Sequence, residues 1–99
     1  MNLREIALHC ETAWSQYAEK FQIHRDDEFY LFKMQEELGE LTRAFLELRG
    51  SEKKSKTTTE ELQQQLASDV ASLVGNALIL ALHFDVDLEA NIKRKFPVA

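Results

Sequence analysis

Glycine and proline are scarce in this chain, three of the first and one of the second among 99 residues. So few breakers argue against many short strands joined by tight turns and leave room for long, uninterrupted elements. Cysteine occurs once, at Cys10, which excludes an intramolecular disulfide and any zinc motif built on cysteine pairs. Positive charge is in the minority, with 12 Lys and Arg against 17 Asp and Glu and a formal net charge of -5. That balance gives no general attraction to a nucleic-acid backbone, because phosphate binding is driven by clustered Lys and Arg. An acidic protein that handles phosphates needs metal cations to bring the like charges together. The opening Met1-Asn2-Leu3-Arg4-Glu5 has neither the basic start nor the apolar stretch of a signal peptide, so a reducing cytoplasm is expected.

What is present is ordinary for a globular protein, with 44% hydrophobic and 29% charged residues. A chain of this length makes one core, so residues 1–99 are expected to form a single domain. Leu66 to Phe84 carries no Lys or Arg, which calls for a membrane check. Ser68, Asp69, Ser72 and Asn76 interrupt its first half. An Asp near a bilayer centre costs roughly 2.5–3.5 kcal/mol, so a buried helix is expected and no membrane partner.

Apolar spacing predicts four helices and no strand. Leu3, Ile6, Cys10, Ala13, Trp14, Tyr17 and Phe21 form one stripe of an amphipathic helix over residues 3–21. The pattern breaks around Gln22–Asp27, where Asp26 or Asp27 can cap a second helix. Its seam is Leu31, Met34, Leu38, Leu41, Phe45 and Leu48, and Gly50 stands where a C-terminal glycine cap would. Ser51 to Thr59 reads as an exposed polar loop whose Lys53, Lys54 and Lys56 are either a solvated linker or a phosphate-attracting flap. Thr58 and Glu61 make a capping box for a third helix reaching about Phe84, and Asp87 caps a short fourth one, Leu88 to Phe96, closed by Pro97. The two long central helices dominate. Between Val70 and Phe84 the third is apolar nearly all round, more than a 99-residue monomer can cover. A homodimer or larger assembly is expected, with this helix near the interface.

Two segments can carry chemistry. Glu37 and Glu40 share one flank of the second helix with Lys33, while Glu36 points nearly opposite the apolar seam. Carboxylates three residues apart can hold one divalent cation between them, or they can be solvated and pair with lysines. On the third helix Asp69, Ser72, Asn76 and His83 fall within about 60° of one another, a polar stripe on an otherwise apolar element. Buried polar groups need partners. The stripe either converges with the first flank on a hard cation such as Mg²⁺ or makes a polar helix–helix contact. His83 reads as a packed histidine.

The run Lys33-Met34-Gln35-Glu36-Glu37-Leu38-Gly39-Glu40-Leu41 resembles the E-E-x-x-E signature of the MazG-like nucleoside-triphosphate pyrophosphohydrolases. His83-Phe84-Asp85-Val86-Asp87-Leu88-Glu89, with Lys95-Phe96, is similar to the ending of that family's second signature. Counting back from this ending, the family's E-x-x-D falls on Asp69-Val70-Ala71-Ser72, where the first acid is shortened and the second replaced by a hydroxyl. The resemblance implies an all-α four-helix MazG-like bundle that cleaves a nucleoside triphosphate to monophosphate and pyrophosphate with Mg²⁺ or Mn²⁺. It implies Glu37, Glu40, Asp69 and Ser72 as metal ligands; outside the family's motif, Asn76 one turn on could offer a neutral oxygen instead of Ser72. Glu36 and Glu37 are the candidates to position or deprotonate the attacking water. Lys33, Arg94 and Lys95 are candidates for phosphate contacts, although Lys95 also suits a helix C-terminus on electrostatic grounds alone. Because the second acidic pair is eroded, a catalytically impaired helical dimer that binds nucleotide or a protein partner stands as the alternative.

Overall fold

The computed structural model describes residues 1–50 and 57–99. It contains four helices, α1 (Leu3–Lys20), α2 (Asp27–Leu48), α3 (Thr59–His83) and α4 (Leu88–Lys95), and no strand among the described residues. The expected loop lysines Lys53, Lys54 and Lys56 lie outside the described residues.

Each helix starts where a side-chain oxygen satisfies a free backbone N–H. Asn2 and Glu5 form a reciprocal capping box on α1, Asp26 accepts from the Phe29 amide, Thr58 from Glu61 and Asp87 from Ala90. Thr59, placed in the loop on sequence grounds, is the first residue of α3. The helix ends follow an equally local logic. Gly50 takes φ 87° after α2, as a C-terminal glycine does. α1 and α3 end in the same double hydrogen-bonded turn without glycine. Ile23 N–H reaches Ala18 and Gln22 N–H reaches Glu19; Val86 N–H reaches Ala81 and Asp85 N–H reaches Leu82. Gln22 and Asp85 each sit at φ 54° to make these turns.

α3 lies between the other two long helices and packs on both. Against α1 the approach is close at Gly75, where an added Cβ would stand 3.4 Å from Cys10 Sγ. Against α2 the partners are antiparallel: the His83 ring stacks on Tyr30 at 4.1 Å, and its Nε2 lies 2.9 Å from Asp27 Oδ1. Arg25, just ahead of α2, forks onto Glu11 of α1 at 2.6 and 3.1 Å. This pair ties the connection between α1 and α2 back onto α1.

Packing departs from the predicted seams in an informative way. On α2 the buried positions are Tyr30, Glu37 and Ala44, whereas Leu31, Leu38 and Phe45 are 52%, 53% and 45% exposed. The apolar face of α2 is wider than α3 can cover, so only one edge of it is used. Val70 and Val74 of α3, and Tyr17 and Phe21 of α1, are likewise exposed. No large side chain among the described residues is fully buried. α3 is long and apolar enough to cross a membrane by length and composition, and only 28% of its most apolar window is buried within the chain.

Candidate metal and phosphate site

α2 delivers the acidic flank. Glu37 is buried, while Glu36 and Glu40 are exposed. Lys33, one turn back, bonds to Glu36 and lies 3.4 Å from Glu37 Oε1. Its ammonium also sits 5.3 Å from the centre of the Trp14 ring, so α1 walls one side of the flank. Burial raises the Glu37 pKa above the ordinary carboxylate value, the Glu40 charge raises it further, and Lys33 offsets only part of this. For Lys33, burial works against the charged form, but the hydrogen bond to Glu36 and the charges of Glu36 and Glu37 outweigh it and raise its pKa. A carboxylate so placed has the raised proton affinity that a general base uses.

The α3 contribution follows from register. Starting at the Tyr30–His83 stack and stepping seven residues along each antiparallel helix, Glu37 comes level with Asn76, and Ala44 with Asp69. All four of these positions are buried. The Asn76 amide donates 2.8 Å back to the Ser72 carbonyl, which leaves its side-chain oxygen as the atom for other partners. Ser72 is half-buried, one turn away. Asp69 is held by Gln65, whose amide lies 3.2 and 3.3 Å from its two oxygens. It stands two turns, roughly 10 Å, from the level of Glu37.

The predicted site residues therefore separate into groups. Lys33, Glu36, Glu37 and Glu40 share one flank with Asn76 opposite, whereas Asp69 belongs to a different level of the helix pair. Arg94 and Lys95 are exposed on α4, with Arg94 bonded to Asn91, and no ion pair joins either to the acidic flank. Among the described residues no group of three or more His, Cys, Asp or Glu is close enough to hold a metal. Glu37 and Glu40 are one carboxylate pair on this flank, fewer anionic donors than an all-protein metal cage uses. The donor set does not fit a closed cluster of several ions.

Sequence reasoning did not place Phe32 or His24 beside the flank. A hollow of about 420 Å³ opens beside Lys33 and Glu36, lined also by His24, Asp26, Phe29 and Phe32. Phe32 is 59% exposed and falls outside every apolar stripe, and that displacement is the signal that could have found it. Trp14 meets both Tyr17 and Phe29 edge-to-face and is packing, as its stripe position indicated. His83 is a tertiary clasp, consistent with its reading as a packed residue. No family model, curated protein or solved structure matches the chain, so its assignment rests on its own residues.

Proposed function

We propose that this chain is a Mg²⁺-dependent nucleoside-triphosphate pyrophosphohydrolase of MazG-like type, acting in the cytoplasm on the nucleotide pool. The observation that carries the reading is the buried Glu37, with Glu40 and Lys33 on its flank and Asn76 level with it. Glu37 and Glu40 hold the metal that travels with the triphosphate, Asn76 adds a neutral oxygen, and Lys33 trades its bond to Glu36 for a phosphate oxygen. Bound metal neutralises the phosphates and lowers the pKa of the attacking water. Glu36, freed from Lys33, or Glu37 would take a proton from that water as it attacks one phosphorus of the α–β anhydride in line, the bridging P–O bond breaking to release monophosphate and pyrophosphate. Asp69 and Ser72 support α3 behind the site instead of ligating in the first instance. The aromatic hollow beside Lys33 accommodates the nucleoside.

The protein works as a homo-oligomer. The uncovered Leu31, Leu38 and Phe45 of α2, with Val70 and Val74 of α3, meet the same surface of a second copy. A bilayer is the other environment that such a surface tolerates, and a monomer that partitions into neutral vesicles would replace this part of the reading.

The replacement of the family's E-x-x-D by Asp69-Val70-Ala71-Ser72 favours a second reading, in which the bundle binds nucleotide without cleaving it. Titration calorimetry with an α,β-methylene nucleoside triphosphate, with and without Mg²⁺, tests the site under both readings. Metal-dependent binding that Glu37→Gln abolishes supports the site. Absence of binding in millimolar Mg²⁺, from protein with full helical signal, removes it.

A further inference from the structure

α4 leans on its own bundle only through the half-buried Leu88. Leu88, Ile92 and Phe96 fall on one stripe at four-residue steps, yet no residue of α4 is buried. Ile92 is 44% and Phe96 73% exposed, and Val98 beyond them 93%. An isolated helix of eight residues is not stable in water. The Asp87 cap and the exposed Glu89–Lys93 pair support it locally but bury none of its apolar stripe. The stripe needs an apolar surface.

Such a surface exists next to it. A groove of about 510 Å³ runs between the start of α1, the end of α3 and the 84–87 turn, floored by Leu3, Ala7, Leu78, Ala81 and Val86. α4 does not enter it. The left-handed Asp85 and the bond from Val86 to Ala81 aim the chain so that only Leu88 and Glu89 reach the mouth, and the remaining turns of the helix lead away.

We propose that the groove is filled by α4 of a second copy, each chain giving its C-terminal helix to the other across a two-fold axis. Ile92 and Phe96 of one protomer lie on the apolar floor of its partner. Charge complementarity selects this occupant. The groove lining carries Asp85, Asp87 and Glu89 against the single cation Arg4. Asp87 also caps α4 and Glu89 pairs with Lys93, and the last turn of α4 carries Lys93, Arg94 and Lys95. With the two α4 helices antiparallel, each basic end meets the partner's acidic rim twice over by symmetry. The chain also has surface to spare. Its 7666 Å² exceeds the roughly 5,800 Å² of a compact monomer of its mass by more than one side of a standard dimer interface. This docking does not depend on the hydrolase reading.

Cysteine pairing tests it in the full chain, with Cys10→Ala removing the native thiol. One variant carries Leu3→Cys in the groove and a second carries Ile92→Cys on α4. Mixed and gently oxidised, the two should give a covalent two-chain product several-fold faster than either gives alone. A doubly substituted chain that closes only within itself would overturn the proposal, placing α4 in its own groove. So would a mixture that cross-links no faster than the separate variants. In parallel, Ile92→Ser with Phe96→Ser should lower the mass of the assembly in sedimentation while the helical signal stays, since neither side chain is buried within its own chain. An unchanged mass refutes the exchange. A wild-type monomer that binds vesicles of anionic lipid through its basic turn refutes it in favour of a membrane surface.

Discussion

Replacing Glu37 by glutamine should make the protein more stable at neutral pH while removing whatever the site does. Glutamine has the shape of glutamate, and its side-chain oxygen can still accept from Lys33, which in the wild type lies 3.4 Å from Glu37 Oε1. The exchange thus removes charge without opening a cavity. Burial and the Glu40 charge raise the folded-state pKa of Glu37 above 4.5. A carboxyl whose folded pKa is raised binds its proton more tightly in the native state than in the unfolded one. Its contribution is fully present below the unfolded pKa and is lost as pH rises through the folded pKa. At pH 7 the ionised Glu37 is therefore a net burden, and removing its charge should raise stability; an ordinary stabilising substitution is worth about 1 kcal/mol. In a domain of this size that is about 4–8 °C in Tm. Calorimetric melts of wild type and Glu37→Gln at matched protein concentration, taken from pH 4 to pH 8 with chelator, measure it. The gap should open as pH rises through the folded pKa of Glu37 and close toward pH 4. Millimolar Mg²⁺ should then narrow the gap at pH 7 by stabilising only the wild type. A variant no more stable than wild type at pH 7, or a gap independent of pH, would refute the account of the flank.

Substitutions at three further positions test the scaffold. Arg25 holds the Glu11 carboxyl below its usual pKa chiefly through their hydrogen bond, against the opposing effect of burial. A depressed carboxyl contributes stability above its unfolded pKa that is lost as pH falls through the folded one. Arg25→Met should therefore cost about 1 kcal/mol at pH 7 and progressively less below pH ~4.5 by urea melts. Gln22 at φ 54° occupies a position that suits glycine, so Gln22→Gly should add about 1 kcal/mol in the same assay. At Gly75, alanine meets Cys10 Sγ at 3.4 Å and should be neutral or slightly stabilising. Leucine at Gly75 should drive α1 away at a cost of about 1–3 kcal/mol.

Helix positions were legible in the sequence because their determinants are local. The Thr58 and Asp87 caps and Gly50 act within a turn of where they stand, and each falls where it was read. The box expected at Thr58–Glu61 forms only one of its two backbone bonds, from the Glu61 amide to the Thr58 hydroxyl. The non-glycine ends at Gln22 and Asp85 were not legible, since neither residue announces a left-handed conformation. Burial on α2 was read half correctly. Periodicity locates an apolar face but not its centre, and the centre moved to Tyr30, Glu37 and Ala44 because α3 covers one edge only. The site followed the same division. Spacing alone places Lys33, Glu37 and Glu40 on one flank. The level of Asp69 and Asn76 depends on how α2 and α3 slide past each other, and the Tyr30–His83 stack fixes that register across 53 residues of chain. The fate of Arg94 and Lys95 depends on α4, whose partner lies outside the single chain in the docking proposed here.

The central claim is that the Glu37 flank hydrolyses nucleoside triphosphates, and product analysis tests it most directly. Wild type, Glu37→Gln and Glu40→Gln would be incubated with a panel of canonical and modified nucleoside triphosphates in Mg²⁺ or Mn²⁺, and phosphorus NMR would follow the products. Wild type should give nucleoside monophosphate and pyrophosphate in equal amounts, none with chelator, and neither variant should give any. Turnover that survives both substitutions, or no turnover with any substrate from folded, assembled protein, would contradict it.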